Sequence, residues 1–190
     1  RGGPFPIPPP PYYMYGVSVK SAINKVSGSN TLSLNAILFN SRSICNKIHE
    51  LHILLSTYEY DFIFITESWA TGNILDSFIV QSYKYNVFRK DRQFGGRGGG
   101  VIILCKTQLT VYEVVIPDIL DTDESFIVDL HMGSSNVRIF LVYRSPSRDQ
   151  EHLAKLCNEI ECVHKSAELV IILGDFNFPL IKWEHYSPIP

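Results

Sequence analysis

The chain has 190 residues, 45% of them hydrophobic, and a formal net charge of −2. That length suits one domain with a real core and is short for two. The charge excludes a polycation, so contact with nucleic acid has to use local basic groups or a metal ion. No apolar run approaches a membrane span and no secretory signal is legible, so no membrane contact is expected.

Residues 1–30 stand apart. RGGPFPIPPPPYY carries most of the prolines and cannot form helix or central strand. A polyproline-like or disordered leader is expected there, with the folded domain spanning 31–190. The cysteines Cys45, Cys105, Cys157 and Cys162 form no C-x-x-C pair. They read as buried, reduced thiols of a nuclear or cytoplasmic protein.

The first predicted strand is Thr31–Asn40, in which Ala36 to Phe39 is a buried run ending at Asn40. A helix follows from about Ile44 to Tyr58, with Ile44, Ile48, Leu51, Leu55 and Tyr58 on its apolar face. Asp61–Glu67, DFIFITE, is a second strand, apolar and β-rich, with Glu67 at its end. After a loop containing Trp69 and Asp76, YKYNVFRKDRQFGGRGGGVIILCK reads as a strand ending near Phe88, a basic glycine-rich loop, and a strand Val101–Cys105. Val111–Val115, Phe126–Leu130 and Val137–Tyr143 are further strands, the last two joined by the turn-rich MGSSN.

Ser147–Arg148–Asp149–Gln150 matches a capping box. The helix it opens places Leu153, Leu156, Cys157, Ile160 and Val163 on one face. LVIILGDFN, Leu169–Asn177, then reads as a strand buried on both faces that delivers Asp175 and Asn177 on one side of its end. Gly174 offers room for another backbone or a ligand. The simpler reading is a strand closing in a polar turn. Two helices cannot cover both faces of one sheet with this many strands. The expected fold is therefore a two-sheet sandwich with helices outside, an α/β (α+β) layered domain.

Polar groups thus recur at strand ends: Asn40, Glu67, Tyr143, and the Asp175–Asn177 pair. Carboxylates at the ends of apolar strands are costly to desolvate without a partner, and a hard divalent cation is one such partner. Asn40 in FNSRS, TESW at Glu67, RGGGV at Arg97–Val101, VYRSPS at Tyr143 and GDFN at Asp175–Asn177 together resemble the endonuclease domain of LINE-type (non-LTR) retrotransposons. That family belongs to the endonuclease/exonuclease/phosphatase superfamily, with apurinic endonucleases and DNase I. The likeness runs from about Leu32 to Trp183.

The resemblance implies a four-layer α/β/β/α sandwich. It implies Glu67 as the main Mg²⁺ (or Mn²⁺) ligand with Asn40 assisting. Asp175 would activate water, Asn177 would hold the scissile phosphate, and Tyr143 would stabilise its charge. The implied reaction is hydrolytic nicking of DNA by a monomer, giving a 3′ end to a reverse transcriptase domain of the same element. The basic groups expected to face DNA are Arg42, Arg89, Lys90, Arg92, Arg97 and Arg144. Glu124 could support the site or lie on the surface. The six histidines show no ligand spacing.

The family also carries a later strand with a Ser-Asp-His motif, and no such motif occurs in this sequence. The expectation is therefore a domain without its last strands, with weak or absent nicking. The alternatives are an inactive or DNA-binding remnant, and a phosphatase or RNA nuclease of the same superfamily.

Overall fold

The computed structural model describes residues 14–18, 34–81, 84–91, 98–116, 125–133, 135–146, 150–165, 167 and 169–177. In chain order the elements are β1 (Met14–Ser18), β2 (Asn35–Asn40), α1 (Ile48–Thr57), β3 (Phe62–Thr66), α2 (Asp76–Ile79), β4 (Tyr85–Lys90), β5 (Val101–Lys106), β6 (Thr110–Glu113), β7 (Ser125–Met132), β8 (Ser135–Tyr143), α3 (Gln150–Lys165) and β9 (Leu169–Asp175). They form a five-stranded sheet, β1-β2-β3-β5-β4, and a four-stranded sheet, β6-β7-β8-β9. No helix among the described residues is long and apolar enough to cross a membrane.

The layering follows from strand alternation. On β3, Phe62 and Phe64 point between the sheets, where they meet Val128 and Ile139 of the second sheet. Ile63 and Ile65 point outward, to Leu51 and Leu54 of α1. All of β3 is buried, as a continuous apolar run requires. Across the second sheet, Ile127, Phe140 and Val142 face outward to Leu156 and Val163 of α3. The order of layers is therefore helix, sheet, sheet, helix, the sandwich expected from the sequence.

Each sheet contains one parallel pair, β2 with β3 and β8 with β9. A parallel pair needs a crossover, and α1 and α3 supply them. Both pairs consequently end their strands in the same place. Asn40 is level with Thr66 in the first sheet, and Tyr143 is level with Asp175 in the second. This topology brings the strand-end residues of both sheets to one rim.

Several expectations need correction. Within the stretch 1–30, MYGVS forms the edge strand β1, paired antiparallel with β2; these residues lie beyond the prolines and include β-favouring Tyr and Val. The first helix begins at Ile48, not Ile44, because Arg42 and Ser43 hold positive φ and turn the chain first. Its buried face is then Leu51 and Leu54, with Leu55 only half-buried. Cys45 and Cys157 are exposed, Cys162 is half-buried, and Cys105 alone of the four is buried. In α3, Cys157 lies outside the apolar face while Glu159 is fully buried. β9 is not covered on both faces: Ile172 is 39% exposed, and Leu173 is its one buried residue. A run of apolar letters does not say whether a strand is central, and among the described residues β9 pairs with β8 alone. Residues 147–149 of the capping box, and Glu124, lie outside the described residues.

Candidate active site

At the shared rim, one amide joins the two sheets. Asn40 Nδ2 donates to Glu67 Oε1 at 2.8 Å and to Asp175 Oδ2 at 2.9 Å. Asn40 Oδ1 accepts the Arg42 N–H at 3.0 Å, which fixes the rotamer that aims the amide. Two carboxylates from different sheets therefore converge on a single neutral donor. Neither has a basic partner within ion-pair distance among the described residues. Like charges brought this close repel, and the repulsion grows as water is excluded.

The loops that carry these groups are tied together. Ser41 N donates to Thr66 O, Ser43 N to Glu67 O, and Ile44 N to Ser68 O, continuing the β2–β3 pairing past the strand ends. Ser41 Oγ adds a bond to Glu67 O at 2.8 Å. On the other side, Ser68 N donates to Gly100 O and Trp69 N to Gly99 O. The TESW and RGGGV motifs thus meet as neighbouring loops. Among the described residues, the non-glycine residues with positive φ are Arg42, Ser43, Glu67, Trp69 and Asn177, all of them in the loops of this rim. Such conformations cost about 1–3 kcal/mol each and persist only where the surroundings enforce them.

On the second sheet, Asp175 ends β9. Its carbonyl accepts the Arg144 N–H at 2.8 Å. Asn177 Nδ2 donates to Arg144 O at 2.7 Å, and Arg144 Nη1 donates back to Asn177 O at 3.3 Å. The side chains of Asn177 and Arg144 thus brace the exits of β9 and β8 against each other. Tyr143 is buried, with its ring in the layer between the sheets. Gly174 has φ +150°, and a Cβ there would lie 1.8 Å from Val142 O. The close approach that the glycine permits is that of a backbone.

The structure brings Asn40, Glu67 and Asp175 into direct contact, and sets Tyr143, Arg144 and Asn177 at the same strand ends. Arg42 is exposed beside Asn40. Arg89 and Lys90 belong to β4 rather than to a loop. Arg89 is held by Asp76 at 3.1 Å and Asp91 at 3.6 Å. Burial pushes the Asp91 carboxyl above its ordinary value, with Arg89 opposing the shift. Arg92 and Arg97 lie outside the described residues. Among the described residues no cluster of three or more His, Cys, Asp or Glu side chains forms a metal cage, and two carboxylates plus a carboxamide make up the rim. Sequence reasoning missed Ser41 and Lys47. Lys47 Nζ donates to Ser41 O and Arg42 O; with the helix expected from Ile44, no signal in the sequence set this lysine apart.

The model of the Endonuclease/Exonuclease/phosphatase family matches residues 32–189. No curated protein sequence matches the chain. Among solved structures, the endonuclease domain of TRAS1, a telomere-specific non-LTR retrotransposon, is similar over 75% of this chain and 59% of its own, at 19% identity and TM-score 0.55. The catalytic domain of Xenopus laevis APE2 is similar over 75% and 58%, at 18% identity and TM-score 0.58. A 3′ phosphatase, NExo from Neisseria, bound to a product DNA hairpin, is similar over 76% and 58%, at 15% identity and TM-score 0.56. The chain spans less than two thirds of the length of each of these structures.

Proposed function

The chain belongs to the Endonuclease/Exonuclease/phosphatase family, and from that premise we propose that it is a divalent-metal-dependent DNA endonuclease domain of the non-LTR retrotransposon type. The observation that carries this reading is the Asn40 amide shared by Glu67 and Asp175. Two carboxylates converging on one neutral amide are what a hard, oxygen-seeking metal such as Mg²⁺ or Mn²⁺ would neutralise. The donor set fits: Glu67 and the remaining lone pair of Asn40 Oδ1 are the residues that would hold the ion. When bound, it polarises a phosphoryl oxygen and stabilises the departing oxygen.

The chain's own residues do the rest. Asp175 accepts a proton from the attacking water through its carboxylate, which Asn40 keeps in place. Asn177 presents its second amide N–H to the scissile phosphate, its first being anchored on Arg144 O. Tyr143 offers its phenol to the charge that develops there, and Arg42 and Arg144 hold flanking phosphates. Arg89, committed to Asp76 and Asp91, serves DNA less directly, by fixing the strand that leads to Lys90, Arg92 and Arg97. Hydrolysis leaves a nick whose 3′ end can prime synthesis by a reverse transcriptase domain.

Supercoiled-plasmid nicking with Mg²⁺ or EDTA tests the proposal. Glu67→Ala and Asp175→Ala are each expected to lower the rate by on the order of 10²–10⁴-fold. Nicking that survives EDTA, or that Glu67→Ala leaves at the wild-type rate, would overturn it. An abasic duplex, an RNA and a 3′-phosphorylated DNA assayed alongside separate endonuclease from phosphatase or RNA nuclease. Salt-sensitive binding with no cleavage of any of them would mark a DNA-binding module instead.

A further inference from the structure

We propose that Lys47 is a positioning residue that sets the cation affinity of the rim without touching substrate or metal. The inference rests on the reading of Glu67 and Asn40 as the ion's ligands. It begins with a residue in the wrong place by local rules. Lys47 is the N-cap of α1 and makes no side-chain capping bond. Ser, Thr, Asp or Asn is favoured there, and a cation at a helix N-terminus opposes the helix dipole. A sequence that breaks a local preference usually does so for a site.

The side chain is used elsewhere. It turns back from the helix, and Nζ donates to Ser41 O and, at 3.5 Å, to Arg42 O. These carbonyls belong to the loop leaving β2, where Arg42 and Ser43 have φ of 44° and 83°. The same loop orients Asn40, since the Arg42 N–H grips Asn40 Oδ1 at 3.0 Å. It also touches the Glu67 loop through Ser41 Oγ and Ser43 N. One ammonium therefore holds from behind the loop whose other side fixes both proposed ligands. Groups that orient ligands in this way alter metal affinity by about 10–100-fold when removed.

Calorimetric titration with Mn²⁺ alone, without DNA, reads this directly on the full chain. Wild type, Glu67→Ala, Lys47→Met and Lys47→Arg are compared. Lys47→Met is expected to weaken Mn²⁺ binding about tenfold, and Lys47→Arg, which keeps charged donors, to recover most of it. Lys47→Asp supplies a better N-cap, so it should melt no lower than wild type yet bind Mn²⁺ as weakly as Lys47→Met. If Lys47→Met does not fold, the Lys47→Asp titration carries the same test. Mn²⁺ affinity within twofold of wild type in these variants would overturn the role of Lys47. Wild-type binding that Glu67→Ala leaves intact would instead overturn the metal site itself, so the two failures are distinguishable.

Discussion

The two sheets contribute to the rim by different means. The first offers Glu67 from β3, whose five residues are all buried, and whose exit loop is bonded on both sides to the 41–44 and 98–100 loops. The second offers Asp175 from β9, which among the described residues has one neighbouring strand, and which carries an exposed isoleucine in its middle. Glu67 is positioned by a set of mutually bonded loops. Asp175 is positioned by fit: β9 must lie close against β8, and Gly174 is what lets it. A site built in this way should respond to changes on the first sheet by losing chemistry, and to changes on the second by losing structure.

The largest expected effect lies at that contact. Gly174→Ala places a methyl 1.8 Å from Val142 O at a φ of +150°, which neither side can relieve without separating the strands. A loss of about 4 kcal/mol in urea unfolding is expected. Nicking should fall as well, because Asp175 follows Gly174 directly. A variant within about 1 kcal/mol of wild type would mean that β9 is not held to β8 as tightly as the fit argument requires.

Deleting the same side chain on each strand sharpens the contrast. Ile65 on β3 is 0% exposed and Ile172 on β9 is 39% exposed. Ile65→Ala should cost about 3 kcal/mol, through lost burial and the cavity left under α1. Ile172→Ala should cost about 1 kcal/mol or less, since much of its surface already meets water. Equal losses would show that β9 is covered in solution.

The seal over the first sheet should also appear in pH dependence. Cys105 on β5 is fully buried, and burial pushes its thiol up to about 11. Its contribution to stability is full below the ordinary thiol value and is lost as pH rises toward 11. The size is about 2–3 kcal/mol. Cys105→Ala should flatten the alkaline limb of the stability curve, while labelling of native protein modifies Cys45 and Cys157 and spares Cys105.

The contrast between the sheets also explains what the sequence disclosed. The polar strand ends were legible because each follows an apolar run, and a strand's direction fixes where its last residue goes. β3 was read correctly because Phe62–Thr66 is covered on one face by the second sheet and on the other by α1. β9 carries the same kind of run, Leu169–Leu173, yet its coverage depends on neighbours that no local pattern encodes. Arg89 was read as a loop cation because Asp76 lies far from it in the chain, on a helix too short to show a period. Lys47 escaped notice because its partners are carbonyls, which have no letter in a sequence. The pairing of Asn40 with both carboxylates was likewise invisible: 27 residues separate it from Glu67 and 135 from Asp175.

A second glycine is the control for the largest effect. Gly133 lies in the β7–β8 turn at φ +64°, with nothing within 4 Å of where a Cβ would stand. Gly133→Ala therefore has a conformational penalty and no clash. It should cost about 1 kcal/mol and leave nicking unchanged. Gly174→Ala adds contact with a backbone to a less favourable φ, so its excess loss over Gly133→Ala reports the close approach of β8 and β9 together with that backbone conformation. If the two alanines cost the same, the fit between those strands contributes nothing beyond the preference of glycine for positive φ, and Asp175 must then be held mainly through Asn40.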